Sequence, residues 1–205
     1  GTLHTAFRND TVGVKVMGVL PEAAHTYAYL NTAYPCLNEK QLAIGESTFV
    51  GPEQLRNPKG WFNIEELQRI ALQRCDKARD AIRLIGDLIK QYGYGDYGEC
   101  ITIADRNEVW QMEIVGAGKN VIGGVWVAKR VADDEVAVSC NIPRIGKLER
   151  GSADFMCSDN VEKVALKNKL WDGKSEFCFW KAYNCEYAKG KNFLEREMLI
   201  YNSLL

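Results

Sequence analysis

Four segments in the middle of the chain place apolar residues at about every second position, and short connectors separate them. The segments are 100–104, 109–115, 125–131 and 136–140. A period of two is typical of β-strands, whose successive side chains point to opposite faces of a sheet. The connectors are rich in glycine, asparagine and aspartate, which favour tight turns over the long crossovers that parallel strands need. The sequence therefore predicts an antiparallel meander.

Two helices are predicted before the meander, because their apolar residues recur at the spacing of an amphipathic helix. The first follows Asn63, a residue type that caps helix N-termini, and Glu66 stands three residues later as in a capping box. The second covers residues 78–89, and Gly93 is predicted to end it.

A buried strand is also predicted at 41–49, followed by a loop at 50–60, and an apolar helical stripe runs from 193 to 205. One strand, two helices, four strands and then helices describe an α+β layered domain. A chain of 205 residues with 46% hydrophobic residues is long enough to bury its own core. We therefore expect residues 1–205 to form a single domain.

Charge and hydropathy exclude two classes of partner. The 26 basic and 27 acidic residues are scattered along the chain, so the basic patch that a nucleic-acid binder needs is missing. The longest apolar runs fall well short of the roughly 20 residues of a membrane span. We expect a water-soluble protein that binds neither nucleic acid nor membrane, and the sequence leaves a homo-oligomer open.

Histidine and cysteine usage limits the chemistry. The two histidines, His4 and His25, are too few for a histidine-based metal site or a Ser-His-Asp triad, so we expect no metal and no organic cofactor. The seven cysteines form an odd count without a CxxC spacing, which predicts buried thiols rather than a disulfide framework. Such usage favours a reducing compartment such as the cytoplasm over the periplasm or secretion, and the location stays open.

Five separated blocks of sequence carry a family resemblance. They are 38–49 (NEKQLAIGESTF), 73–82 (QRCDKARDAI), 103–113 (IADRNEVWQME), 125–130 (VWVAKR) and 141–145 (NIPRI). In this order and spacing they resemble the family C69 dipeptidases, which are N-terminal-nucleophile hydrolases. More faintly, they resemble the secernins and the group of bile-salt hydrolases and penicillin V acylases. The resemblance covers roughly residues 25–200.

The resemblance implies a four-layer αββα sandwich and a catalytic cysteine that becomes the first residue after processing. Its own α-amino group, with a pKa of about 7.7 to 8.0, acts as the base. An internal cysteine has no free α-amino group, and this chain begins with Gly1. We therefore expect the nucleophile to lie outside this chain, the chain to be truncated at both ends, and the chain alone to be inactive. The expected reaction is hydrolysis of dipeptides.

The resemblance also implies roles for four residues. Asn141 matches the position whose side-chain amide donates to the tetrahedral oxyanion, and Thr48 the position whose backbone N–H is the second donor. Asn38 is a candidate for ordering the catalytic site. Arg144 is a candidate for binding a substrate carboxylate, or it pairs with a neighbouring acid. A turn asparagine, a buried-strand threonine and a turn-capping asparagine are the structural alternatives for Asn141, Thr48 and Asn38.

Two other functions stay open. One is an amide hydrolase of the bile-salt or penicillin V type, since pocket loops decide specificity on a shared fold. The other is a non-catalytic, secernin-like interaction protein. The chain departs from the family pattern in residues 1 to about 20, which do not align, and at Cys140, where a small residue is expected.

Overall fold

A computed structural model describes residues 2–5, 15–184 and 191–204. Its main element is a five-stranded antiparallel sheet, in which the strands follow one another in chain order. The strands are β3 (Ala43–Val50), β4 (Gly98–Ala104), β5 (Val109–Gly116), β6 (Gly124–Val131) and β7 (Phe155–Cys157). A separate two-stranded sheet pairs β1 (Thr2–Thr5) with β2 (Lys15–Val19).

Five α-helices accompany the sheets within the described ranges. They are α1 (Ile64–Arg74), α2 (Ala78–Tyr92), α3 (Val161–Lys167), α4 (Phe179–Tyr183) and α5 (Lys191–Leu204). The α+β class predicted from the sequence is confirmed. None of these helices is long and apolar enough to span a bilayer, within the residues that the structure describes.

The predicted starts and stops of the first two helices are confirmed. Asn63 Oδ1 accepts a hydrogen bond from the backbone N–H of Glu66 at 3.0 Å, as an N-cap does. Gly93 follows the last residue of α2 with a φ of 88°, a left-handed conformation that glycine adopts without strain. The predicted helix near the end of the chain is confirmed as α5.

Alternating residues of the strands bury both faces of the large sheet. One face packs Ile101, Ile103 and Met112 against α1 and α2. On this side Gly86 of α2 lies so close to Trp126 that an added Cβ would stand 2.6 Å from the indole ring. The opposite face packs residues such as Val127 against α3 and α4. Because both faces are covered, polar side chains on either face of the inner strands become buried.

The predicted strand at 136–140 is wrong, because this segment is irregular. The edge of β6 where it was expected to pair is occupied by β7, whose Phe155 stands opposite Lys129. Residues 132–145, here called the 132–145 segment, instead reach the other edge of the sheet. There Ser139 Oγ lies 2.5 Å from Ser47 Oγ of β3.

Candidate functional site

Asn141 and Thr48 meet at the β3 edge of the sheet. Asn141 Nδ2 donates a hydrogen bond to the backbone carbonyl of Thr48 at 2.7 Å, although 93 residues separate them in sequence. Asn141 has a φ of 60°, in the left-handed region that asparagine tolerates better than most residues. The structure thus brings together the two residues that the sequence pointed to as oxyanion donors.

The side-chain amide of Asn141 is held in one orientation from both ends. Its Oδ1 accepts a hydrogen bond from Arg196 Nη2 of α5 at 2.8 Å, and the same nitrogen donates to the Cys140 carbonyl at 2.9 Å. An amide NH2 group carries two hydrogens, and the Thr48 carbonyl takes one of them. Among the described residues the second hydrogen has no acceptor, so it could serve another acceptor, as a neutral oxyanion donor must.

The backbone around Thr48 is irregular. A register shift occurs between Thr48 and Val50 in the pairing of β3 with β4. Val50 has a φ of 72°, which is strained for a β-branched residue. Strained backbone of this kind clusters at functional sites. A bulge there turns backbone and side-chain groups in directions that a regular strand does not offer.

A buried carboxyl group lies beside the Thr48 side chain. Thr48 Oγ1 donates to Glu99 Oε1 at 2.9 Å, and Glu99 is only 2% exposed. Burial, and after it the hydrogen-bonded Glu46 carboxyl, raise the pKa of Glu99 to about 10, against a smaller lowering by the Thr48 hydroxyl. Glu99 therefore holds its proton at neutral pH, and the Thr48 hydroxyl contacts a neutral group.

A second buried acid, Glu113 of β5, lies beneath the 132–145 segment. It is 1% exposed, and its Oε1 accepts hydrogen bonds from the backbone N–H groups of Arg144 at 2.5 Å and Ile145 at 3.0 Å. Burial raises the pKa of Glu113 to about 8, and the two backbone N–H groups and the Arg144 charge oppose this shift.

Arg144 pairs with Glu197 of α5, and its side chain is 36% exposed. Of the two partners considered for Arg144 from the sequence, the structure contains the neighbouring acid, and the substrate role stays a prediction. Beside Arg144 lies a cavity of about 190 Å³. Its charged lining comprises four basic and two acidic residues: Lys129, Arg130, Arg144, Lys147, Glu135 and Glu149.

Asn38 lies apart from the other three candidates, before the start of β3 and ten residues ahead of Thr48. It is 4% exposed, and its Nδ2 donates to the carbonyls of Leu72 and Cys75 at 2.8 Å each. Its Oδ1 accepts the N–H groups of Lys40 and Leu42 at 3.0 Å each. These contacts tie the end of α1 to the start of β3, so they give Asn38 a structural role, and its catalytic role stays a prediction.

Replacing Asn38 by alanine is expected to lower the free energy of unfolding by about 2 to 3 kcal/mol, because buried backbone groups lose their partners. If the full-length protein has the hydrolase activity that the family resemblance implies, its turnover per folded molecule should stay unchanged. Urea unfolding and active-site-normalised kinetics measure the two effects separately. A fall in kcat without a loss of stability would instead support the catalytic role.

Sequence reasoning missed four residues of this site: Glu99, Glu113, Arg196 and Glu197. Glu113 alternates with the apolar Met112 and Ile114, and alternation alone does not show that the face of an acidic residue is covered. Arg196 and Glu197 lie on the last helix, about 55 residues beyond Asn141, and no local pattern connects them to it. Among the described residues, no group of three histidine, cysteine, aspartate or glutamate side chains is placed to hold a metal ion.

Comparison with known proteins finds sequence relatives of this chain. A protein of Latilactobacillus sakei named probable dipeptidase is 28% identical over 163 residues, which are 77% of this chain and 33% of that protein. A Lactococcus lactis protein named probable dipeptidase B is 33% identical over 107 residues, covering 52% and 21% of the two chains. A Salmonella dublin protein named probable dipeptidase is 30% identical over 122 residues, covering 58% and 27%.

The chain therefore spans a third or less of the length of these relatives. A profile of the family described as peptidase family C69 matches residues 5–202, which is nearly the whole chain. The resemblance seen in five blocks of sequence is confirmed. The chain belongs to peptidase family C69.

Proposed function

We propose that the full-length protein is a dipeptidase that uses a cysteine at its processed N-terminus as the nucleophile. Membership of family C69 and the dipeptidase names of three relatives support hydrolysis of peptide bonds. The observation that carries the proposal is the Asn141 amide, which is fixed against the Thr48 carbonyl at 2.7 Å with one hydrogen left over. A donor fixed before the reaction does not have to reorganise when negative charge develops.

The proposed reaction proceeds in two halves. The thiol sulfur attacks the scissile carbonyl carbon while the α-amino group of the same cysteine takes the thiol proton. Asn141 Nδ2 and the Thr48 backbone N–H then donate to the oxyanion. The tetrahedral intermediate collapses, the leaving amine receives the proton, and water hydrolyses the remaining thioester. None of these steps needs a metal.

Arg144 and the cavity beside it are proposed to bind the carboxylate end of the dipeptide. The lining supplies four cations, and each is ion-paired with an acid in this structure: Lys129, Arg130, Arg144 and Lys147. A substrate carboxylate at this cavity would therefore compete with those acids for its partner. A substrate carboxylate would replace Glu197 as the partner of the guanidinium, because both offer two oxygens to the same planar donor. Small amide substrates without such a carboxylate would not gain this contact.

The proposal includes the four-layer αββα arrangement. In this arrangement α1 and α2 form one outer layer against the five-stranded sheet. A second sheet and its helices would complete the sandwich in the full-length protein. The α1–α2 layer supports this reading, since a layered α+β domain begins with a helix layer on a sheet. In the full-length protein the second sheet would share the opposite face with α3 and α4, which pack against it here.

Intact mass, N-terminal sequencing and a substrate panel test the proposed function in the full-length protein. The panel contains dipeptides, a glycine-conjugated bile salt and penicillin V, each assayed before and after treatment with iodoacetamide. We expect an N-terminal cysteine and dipeptide cleavage that iodoacetamide abolishes. Preferred cleavage of the bile salt or penicillin would assign the other amide-hydrolase function, and a non-cysteine start without turnover would favour an interaction protein.

A further inference from the structure

Glu113 occupies a row of side chains that crosses four strands on one face of the sheet. The pairing registers place Ser47 opposite Cys100, Cys100 opposite Glu113, and Glu113 opposite Val127. A fully buried carboxyl group at such a position destabilises the fold unless it makes hydrogen bonds that an apolar residue cannot make. The bonds of Glu113 therefore indicate what the residue does.

Those bonds hold the 132–145 segment at its far end. Three side-chain contacts attach this segment to the sheet. Ser139 contacts Ser47, Asn141 contacts Thr48, and Glu113 accepts hydrogen bonds from two consecutive backbone N–H groups. The two N–H groups belong to Arg144 and Ile145, which begin three residues after Asn141. Pro143 lies between them and Asn141 and restricts the intervening backbone.

We propose that Glu113 is a positioning residue that holds the 132–145 segment and thereby sets the Asn141 amide against Thr48. The role in catalysis rests on the proposed function, whereas the hold on the segment does not. Glu113 acts through its Oε1, and among the described residues its Oε2 has no hydrogen-bond partner. A glutamine at this position keeps one oxygen acceptor for both N–H groups, and a methionine of similar length keeps none.

Four variants of the full-length protein test the proposal: Glu113→Gln, Glu113→Met, Asn141→Ala and the double variant of Glu113→Met with Asn141→Ala. Glu162→Gln serves as the control, because Glu162 is a half-exposed acid paired with Arg150 away from this segment. Hydrogen exchange by mass spectrometry reports the protection of peptides spanning residues 139–146. Steady-state kinetics with a dipeptide report kcat and KM.

Glu113→Met is expected to raise the exchange rate of the Arg144 and Ile145 amides and to lower kcat about 10- to 100-fold with little change in KM, because misplacing a catalytic group by about 1 Å costs rate of this order. Glu113→Gln is expected to keep both the slow exchange of these amides and the wild-type kcat. The double variant loses no more than Asn141→Ala alone, since the misplaced amide is already gone. If Glu113→Met does not fold, Glu113→Asp, which draws the acceptor back by one methylene, gives the same two readouts.

Unchanged exchange at residues 144 and 145 in Glu113→Met overturns the proposal. So does a double variant whose losses in kcat multiply, because independent residues behave in that way. If the wild-type protein cleaves no dipeptide, the proposed function fails. The exchange data then still decide whether Glu113 holds the segment.

Discussion

Replacing Asn141 by alanine is expected to lower kcat for dipeptide hydrolysis about 100- to 1,000-fold, the usual cost of removing one oxyanion donor. KM is expected to stay nearly unchanged, because the Asn141 amide meets the oxyanion only in the transition state. Arg196 and Thr48 would then face an empty space where the amide now stands. Steady-state kinetics on the full-length protein, with folding checked by circular dichroism, measure this effect.

Two matched variants separate the amide from the backbone at this position. Asn141 has a φ of 60°, so alanine adds backbone strain to the loss of the amide. Asn141→Gly adopts the same φ without strain, and we expect it to lose as much kcat as alanine does. Asn168→Ala removes an amide whose bond, among the described residues, goes to the Val164 carbonyl of α3, and it should retain full activity. Loss of affinity with an unchanged kcat would instead make Asn141 a ground-state binding residue.

Local signals predicted the parts of the fold that depend on local interactions. The Asn63 cap, the Gly93 stop and the alternation of β4 to β6 are decided by neighbouring residues, and the structure contains all of them. The family resemblance named Asn141 and Thr48, and the structure places the two in contact.

Choices between distant partners could not be predicted in the same way. The segment at 136–140 has the alternation of a strand, but β7 occupies the edge of β6 that it needs. β7 is three residues long, which is too short for alternation to indicate a strand. Glu113 was missed for a related reason, since alternation shows which residues share a face and not whether that face is covered. Glu113 is buried because α3, α4 and the 132–145 segment cover this second face of the sheet.

The stability of the chain is expected to fall as pH rises from 5 to 8.5, in contrast to proteins whose acids form ion pairs. Burial raises the pKa of Glu113 to about 8 and, with the Glu46 carboxyl, that of Glu99 to about 10. In the unfolded chain both lose their protons near their ordinary pKa of about 4.3. Between the two pKa values the folded state binds more protons, so the free energy of unfolding decreases with pH.

The slope is about 1.4 kcal/mol per pH unit for each proton, so Glu113 alone is expected to account for about 4 kcal/mol between pH 5 and 8. This is a large share of the 5 to 15 kcal/mol that stabilises an ordinary domain.

Urea unfolding of the 205-residue chain at a series of pH values measures this loss of stability. Glu113→Gln should halve the slope below pH 8, because glutamine stays neutral in both states while Glu99 still contributes its own proton. Glu99→Gln should reduce the slope up to the highest pH tested. Glu162→Gln, at a half-exposed acid, should leave the profile as it is. The double variant of Glu99→Gln with Glu113→Gln should have a flat profile between pH 5 and 8.5, and a profile as steep as that of the wild type would show that other groups release the protons.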